Sequence, residues 1–269
     1  MIKLIQGDCA LAMSDLSSDS IDLTVTSPPY DNLRTYKGYT FDFETIARQL
    51  YRVTKPGGVV VWVVGDATIN GSETGTSFRQ ALYFMGIGFN LHDTMIWDKV
   101  GMRFPDESRY NSVFEFMFIL SKSSPKTLNF IMDRKNLCSG GKVARASQIR
   151  EKDGTLHENS AYRNNKNKVV KDIGKRHNIW QIHTGGGYGD GAHPAFFPEA
   201  LARDHILSWS NPGDTVLDPM MGSGTTGKMA VKYQRNFIGI EIASEYMAIA
   251  EKRIAAAQWH QPLPFEAAQ

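Results

Sequence analysis

The stretch that most constrains this chain runs Thr215-Val-Leu-Asp218-Pro219-Met220-Met221-Gly222-Ser223-Gly224-Thr225-Thr226-Gly227-Lys228-Met229. An apolar run ends in an acid, a glycine-rich turn follows, and a helix-like segment from Lys228 to Tyr233 comes next. Strand, tight loop, helix is the order in which an α/β sheet holds a nucleotide-like ligand against a helix N-terminus.

Three ligand classes compete for such a loop. Gly222, Gly224 and Gly227 fit the dinucleotide spacing G-x-G-x-x-G. Gly222 to Lys228 also fits the first seven positions of the phosphate-cradling loop of ATPases, but Met229 stands where the Mg²⁺-binding hydroxyl belongs. Asp218 argues against both, because a carboxylate at the strand tip repels a pyrophosphate or triphosphate. It suits a ligand that is cationic at that end, and S-adenosylmethionine carries a sulfonium, an ammonium and no phosphate. The next strand, Asn236-Phe-Ile-Gly-Ile-Glu241, ends in a second acid of the kind that accepts from ribose hydroxyls.

Length and composition set the frame. A chain of 269 residues holds one large α/β domain with an insertion, or two small domains. Its 42% apolar and 22% charged residues are ordinary for a soluble protein. No apolar run approaches a membrane span, and the first residues read as a strand rather than a secretory signal. Two cysteines, Cys9 and Cys138, give neither a disulfide framework nor a metal spacing, so a cytoplasmic location is expected. The formal charge of +2 hides an asymmetry: residues 121–178 hold 14 Lys and Arg against 5 Asp and Glu, net +9, leaving −7 elsewhere. Such a block suits a polyanion.

Taken in order, residues 1–7 read as a strand with Asp8 at its tip, and Cys9 to Leu16 as a helix. Ile21 to Thr26 reads as a strand that stops at Ser27-Pro28-Pro29-Tyr30, since two prolines remove donors and stiffen the backbone. Arg34 to Asp42 is a loop. Phe43 to Val53 has helical periodicity, Pro56-Gly57-Gly58 a turn, and Val59 to Val64 the continuous β-branched run of a doubly buried strand. A helix over 77–85, strands over 91–97 and 112–120, and a helix over 199–209 continue the alternation. Ser244 is expected to cap a helix to about residue 257, with Met247, Ala250 and Ile254 on one face. Residues 259–269 form a tail. The fold class is therefore α/β, a doubly wound, mainly parallel Rossmann-like sheet. Residues 1–120 and 179–258 make the catalytic domain, and 121–178 a basic insertion.

The tetrapeptide at the end of the second strand has its own chemistry. Its prolines leave carbonyl oxygens which, with the Ser27 hydroxyl, can accept from an exocyclic amino group. Tyr30 offers a flat face for a base drawn out of its duplex. No cysteine nucleophile follows a proline, consistent with direct attack by an amino nitrogen. Asp66, just after the Val59–Val64 strand, reads as a solvated strand-end acid, with assistance in the site as the alternative. Trp97-Asp98-Lys99 reads either as a base contact or as a strand cap.

Together these segments resemble the amino-methylating DNA methyltransferases, which modify N4 of cytosine or N6 of adenine. The carriers are Ile5-Gln-Gly-Asp8-Cys9, Thr26-Ser27-Pro28-Pro29-Tyr30, Lys55-Pro-Gly-Gly58, Trp97-Asp98-Lys99, His193-Pro194-Ala-Phe-Phe197-Pro198-Glu199, and Asp218 to Gly227 followed by Ile238-Gly-Ile-Glu241. The tetrapeptide precedes the cofactor loop, as in the permuted class called beta, whose basic insertion recognises the target. The resemblance implies that Ser27, Pro28, Pro29 and Tyr30 hold the target base. It also implies that Asp218, Pro219, Met220, Gly222, Ser223, Gly224 and Thr225 hold the methionine end of S-adenosylmethionine. Glu241 would take the ribose, Asp8 with Cys9 the adenine, and Pro194, Phe197 and Pro198 the cleft wall. Met220 or Met221 departs from the aromatic more usual before the glycine. Ser27 rather than Asp leans toward N4 of cytosine. Double-stranded DNA is the expected partner, with a homodimer, a companion restriction endonuclease and an RNA substrate left open. A P-loop ATPase and a non-catalytic DNA-binding module are the rivals, and no metal is expected.

Overall fold

The computed structural model describes residues 1–29, 41–100, 108–142, 148–158, 168–184 and 197–259. Tyr30, most of the Arg34–Asp42 loop, Tyr162, His193, Pro194 and residues 260–269 lie outside the described residues. The chain divides into two compact units, Met1–Asn129 with Asn178–Gln269, and Phe130–His177.

The first unit is built on an eight-stranded sheet. Its early elements are β1 (Ile2–Gln6), α1 (Cys9–Ser14), β2 (Ile21–Thr26), α2 (Phe43–Val53) and β3 (Thr54–Val64). The small hairpin β4 (Thr68–Ile69) and β5 (Ser72–Glu73), α3 (Thr76–Gly86), β6 (Asn90–Asp98) and β7 (Phe114–Ser121) follow. The second unit supplies β8 (Met132–Lys135), β9 (Gln148–Arg150), β10 (Leu156–Glu158) and β11 (Ile173–Lys175). The chain then returns to the first unit with β12 (Ile179–Gln181), α4 (Glu199–Trp209), β13 (Thr215–Asp218), α5 (Thr225–Lys232), β14 (Asn236–Glu241) and α6 (Ser244–Trp259).

The sheet order is β1-β14-β13-β2-β3-β7-β6-β12, parallel throughout except for β7, which runs antiparallel to both β3 and β6. β3 is buried on both faces, as its unbroken valines require. Val60, Trp62 and Val64 join Ile46, Leu50 and Val53 of α2 and Phe84 of α3 in one core cluster. The one polar atom of the Trp62 ring is satisfied there, its Nε1 donating to Gln80 Oε1 at 2.8 Å.

Pro56-Gly57-Gly58 proves to be an irregularity inside β3 rather than a turn before it. Ile21 pairs with Thr54 but Leu23 with Val59, so two positions of β2 oppose five of β3. Gly57 is left-handed at φ 81°, its N–H reaches Lys122 O at 2.5 Å, and an added Cβ would lie 2.9 Å from Lys126 Cβ. Only glycine suits that approach. The helix after the glycine loop begins at Thr225, three residues before the apolar periodicity suggests, because Lys228 N already donates to Gly224 O at 2.9 Å. Ser244 likewise lies inside α6, since Met247 N reaches back to Ala243 O at 3.0 Å.

The second unit is a set of short antiparallel pairs, β8 with β11 and β9 with β10. Lys175 Nζ lies 3.4 Å from the Phe130 ring centroid, and the Arg176 guanidinium pairs with Asp133. It carries twelve Lys and Arg against five Asp and Glu. Among the described residues no helix is long and apolar enough to cross a membrane.

Candidate functional site

The parallel strands β1, β14, β13 and β2 are consecutive neighbours, so their C-terminal ends form one row. That row carries, in order, Asp8, Glu241, Asp218 and Ser27. β13 leads through α5 to β14 on one side, whereas β2 leads through α2 to β3 on the other. The crevice between β13 and β2 is therefore the switch point at which open α/β sheets bind ligands.

Asp218 and Thr26 meet across that crevice. Thr26 Oγ1 donates to Asp218 Oδ1 at 2.8 Å, both side chains being buried, and Met220 N donates to the same oxygen at 3.2 Å. Burial pushes the Asp218 carboxyl up to about 6, against the Thr26 and Thr226 hydroxyls and the Met220 amide, which favour its ionised form; nearby Glu241 adds to the rise. No lysine or arginine among the described residues forms an ion pair with it. A buried carboxyl poised in this way fits a ligand that brings its own positive charge.

The glycine loop is held from two sides. Glu241 uses one oxygen to accept from Gly222 N at 2.9 Å and the other from Ala243 N at 2.8 Å. Gly7 N reaches Glu241 O at 2.9 Å and fastens the end of β1 to it. A carboxylate with about four acceptor positions retains capacity after two such bonds. Gly222 and Gly224 are both left-handed, at φ 51° and 78°. At Gly224 the reason is also packing, because a Cβ would sit 2.8 Å from Ala250 Cβ on α6. Met221 is buried with its sulfur over Gly239, and half-buried Met220 packs against the main core. Pro219 and Thr225 are buried, and Ser223 is half-buried.

Asp8 caps α1, its Oδ1 accepting from Leu11 N at 3.0 Å, and its side chain is exposed at the β1 end of the row. Burial pushes the neighbouring Cys9 thiol up to about 12, with the Asp8 charge adding to the effect. A thiol so protonated is no nucleophile. Ser27 and Pro29 are half-buried and Pro28 is buried at the end of β2. Half-buried Phe197 and buried Pro198 enter α4, for which Pro198 is the N-cap residue.

The structure bears on two readings from sequence. Asp66 is not simply solvated: it accepts from the Ser77 amide at 2.8 Å and from the Thr74 hydroxyl at 3.3 Å, so it anchors the start of α3. Trp97-Asp98-Lys99 is tied up in the fold. Trp97 Nε1 donates to Ile182 O at 2.7 Å, Asp98 accepts from Val100 N and Gln181 Nε2, and Lys99 pairs with Glu115 at 2.6 Å. Sequence reasoning missed Thr26 as a partner of Asp218. It also missed Arg253, whose Nη1 donates to both Ser223 O and Ser223 Oγ. Neither carries a local signal, since each acts across long sequence separations. No group of His, Cys, Asp or Glu among the described residues could hold a metal ion.

Known proteins share much of this chain's sequence and fold. A protein of Bacillus amyloliquefaciens named orphan methyltransferase M.BamHII is 56% identical over 240 residues, covering 87% of this chain and 89% of that one. The Escherichia coli protein named DNA adenine methyltransferase YhdJ is 28% identical, covering 94% of this chain and 83% of its own. Among solved structures, the cytosine-N4-specific PvuII DNA methyltransferase superposes with a TM-score of 0.66 at 21% identity, covering 94% of this chain and 86% of that one. A DNA modification methylase of Thermus thermophilus, complexed with S-adenosyl-L-methionine, gives 0.63 at 23% identity and covers 96% of both chains. These likenesses show the same α/β fold class. The model of the N6/N4 methyltransferase family, described as DNA methylase, matches residues 21–252, and the chain belongs to that family of amino-methylating DNA methyltransferases.

Proposed function

We propose that the chain transfers the methyl group of S-adenosylmethionine to N4 of a cytosine drawn out of double-stranded DNA. The observation that supports this most is the Thr26–Asp218 hydrogen bond, which ties the strand carrying Ser27-Pro28-Pro29-Tyr30 to the strand carrying the glycine loop. Ser27 and Asp218, to which this reading gives the target base and the cofactor, follow or end neighbouring strands.

S-adenosylmethionine supplies a methyl group already activated on a sulfonium, so the protein's task is to bring two groups into line. Asp218, with Pro219, Met220, Gly222, Ser223, Gly224 and Thr225, would hold the methionine end. Glu241 would hold the ribose, Asp8 and Cys9 the adenine edge, and Pro194, Phe197 and Pro198 the wall. The Ser27 hydroxyl and the carbonyls about Pro28 would accept from the exocyclic amino group and aim its lone pair, while Tyr30 stacks on the base. As the nitrogen–methyl bond forms and the carbon–sulfur bond breaks onto sulfur, the amino group loses one proton to water. Stacking and amino contacts offset an extrusion cost of a few kcal/mol.

N6 of adenine is the second reading. It is favoured by the relative named as a DNA adenine methyltransferase, whereas Ser27 favours cytosine. Incubating DNA with isotopically labelled S-adenosylmethionine and digesting it for nucleoside mass spectrometry separates the two. Labelled N4-methylcytosine is expected. Labelled N6-methyladenine alone would replace the base assignment, and label in neither nucleoside would refute both. A companion restriction endonuclease belongs to the same reading, although the M.BamHII relative is called an orphan.

A further inference from the structure

Outside the row of strand ends, one cluster of charged side chains touches the glycine loop. Arg253, on the third turn of α6, points at it: Nη1 donates to Ser223 O at 2.8 Å, to Ser223 Oγ at 2.6 Å and to Thr225 Oγ1 at 3.3 Å. Its Nη2 donates to Glu199 Oε1 at 3.3 Å, and Lys228 Nζ reaches that same oxygen at 2.6 Å. The glycine loop and helices α4, α5 and α6 are thus joined through Glu199, Lys228 and Arg253. Glu199 opens α4 directly after Phe197 and Pro198, and Lys228 lies in α5.

We propose that Arg253 is a positioning residue for the cofactor, acting through Ser223 to hold the glycine loop in its binding conformation, with Glu199 setting the guanidinium's orientation. The inference rests on the glycine loop being the cofactor loop. Gly222 and Gly224 have no side chains and both sit in left-handed backbone, the least self-supporting conformation for a chain segment. Only Ser223 between them offers a carbonyl and a hydroxyl to an outside anchor. One nitrogen of the planar guanidinium, Nη1, takes both while Nη2 reaches Glu199, and a lysine's single nitrogen does not reproduce that two-ended span. The residue carries no contact to the target strand end at Ser27, so its influence should fall on cofactor binding rather than on the transfer step.

Arg253→Ala, Arg253→Lys and Ser223→Ala should be compared with the wild type by calorimetric titration with S-adenosylmethionine, and by steady-state kinetics on DNA. Arg253→Ala is expected to weaken cofactor binding and raise the cofactor KM by about tenfold, the worth of hydrogen bonds to a charged group. Its kcat and its KM for DNA should stay within about threefold of the wild type. Arg253→Lys should recover part of the affinity, and Ser223→Ala, which removes one acceptor and leaves the helices' ion pairs intact, should bind about threefold more weakly. Should Arg253→Ala fail to fold, the Lys and Ser223 variants decide. Cofactor affinity within twofold of wild type in every folded variant would overturn the proposal, as would a loss falling equally on kcat and on the KM for DNA. Failure of the wild type itself to bind S-adenosylmethionine would instead refute the cofactor reading beneath it.

Discussion

Asp218 is a carboxyl buried away from water, kept partly ionised by two threonine hydroxyls and one amide. Because its folded value near 6 lies above the ordinary carboxylate range, its ionisation opposes folding of the free protein as pH rises through that window. A bound cation reverses the sign. It favours the ionised form, so below about 6 binding must expel a proton, and affinity falls as pH falls. Calorimetric titration with S-adenosylmethionine should show binding about tenfold weaker at pH 5 than at pH 7.5, and nearly flat above 7. Thr26→Val should move the midpoint upward, since it removes a donor to the ionised form. A flat profile in the wild type would mean that Asp218 does not face the cofactor's positive charge.

At the scale of elements, the strand–loop–helix around Asp218 was legible because three local signals coincide there: an apolar run, an acid and closely spaced glycines. What the sequence could not reveal is why each glycine is needed. Gly224 serves close packing as much as the ligand, since α6 presses Ala250 and Ile254 against it. Gly224→Ala should therefore lower stability by about 1–3 kcal/mol even without cofactor. Chemical denaturation of the free protein measures this, and an unchanged midpoint would place α6 farther from the loop. The Pro56-Gly57-Gly58 stretch misleads for a related reason. Its composition signals a turn, but residues 122–126 arrive from far along the chain to pair with it, and pairing converts the turn into a bulge. Thr26 and Arg253 were invisible because a strand threonine and a helical arginine look the same whether or not a partner waits 192 or 30 residues away.

At the scale of the whole molecule, charge is divided between the units, and among the described residues of 130–177 most basic side chains stand on exposed positions. We expect this unit to bind DNA phosphates. Replacing Lys142, Arg150 and Lys168 by Gln should weaken DNA binding across sequences, and should flatten the slope of log affinity against log salt by about 0.9 for each phosphate no longer neutralised. Affinity for S-adenosylmethionine should be unchanged. Fluorescence anisotropy at several salt concentrations reads the slope, and an identical slope in the triple variant would remove these side chains from the interface. The order of strands has an effect on how the protein is made. β1 and β2 are made before β13 and β14, yet those two later strands, both after residue 214, separate them in the finished sheet. β1 therefore gains its neighbour in the sheet only when β14 has been made. The two strands that fill the gap between β1 and β2 are the same two that bring Asp218 and Glu241 into the row of strand ends, so closing the sheet and assembling that row are one event.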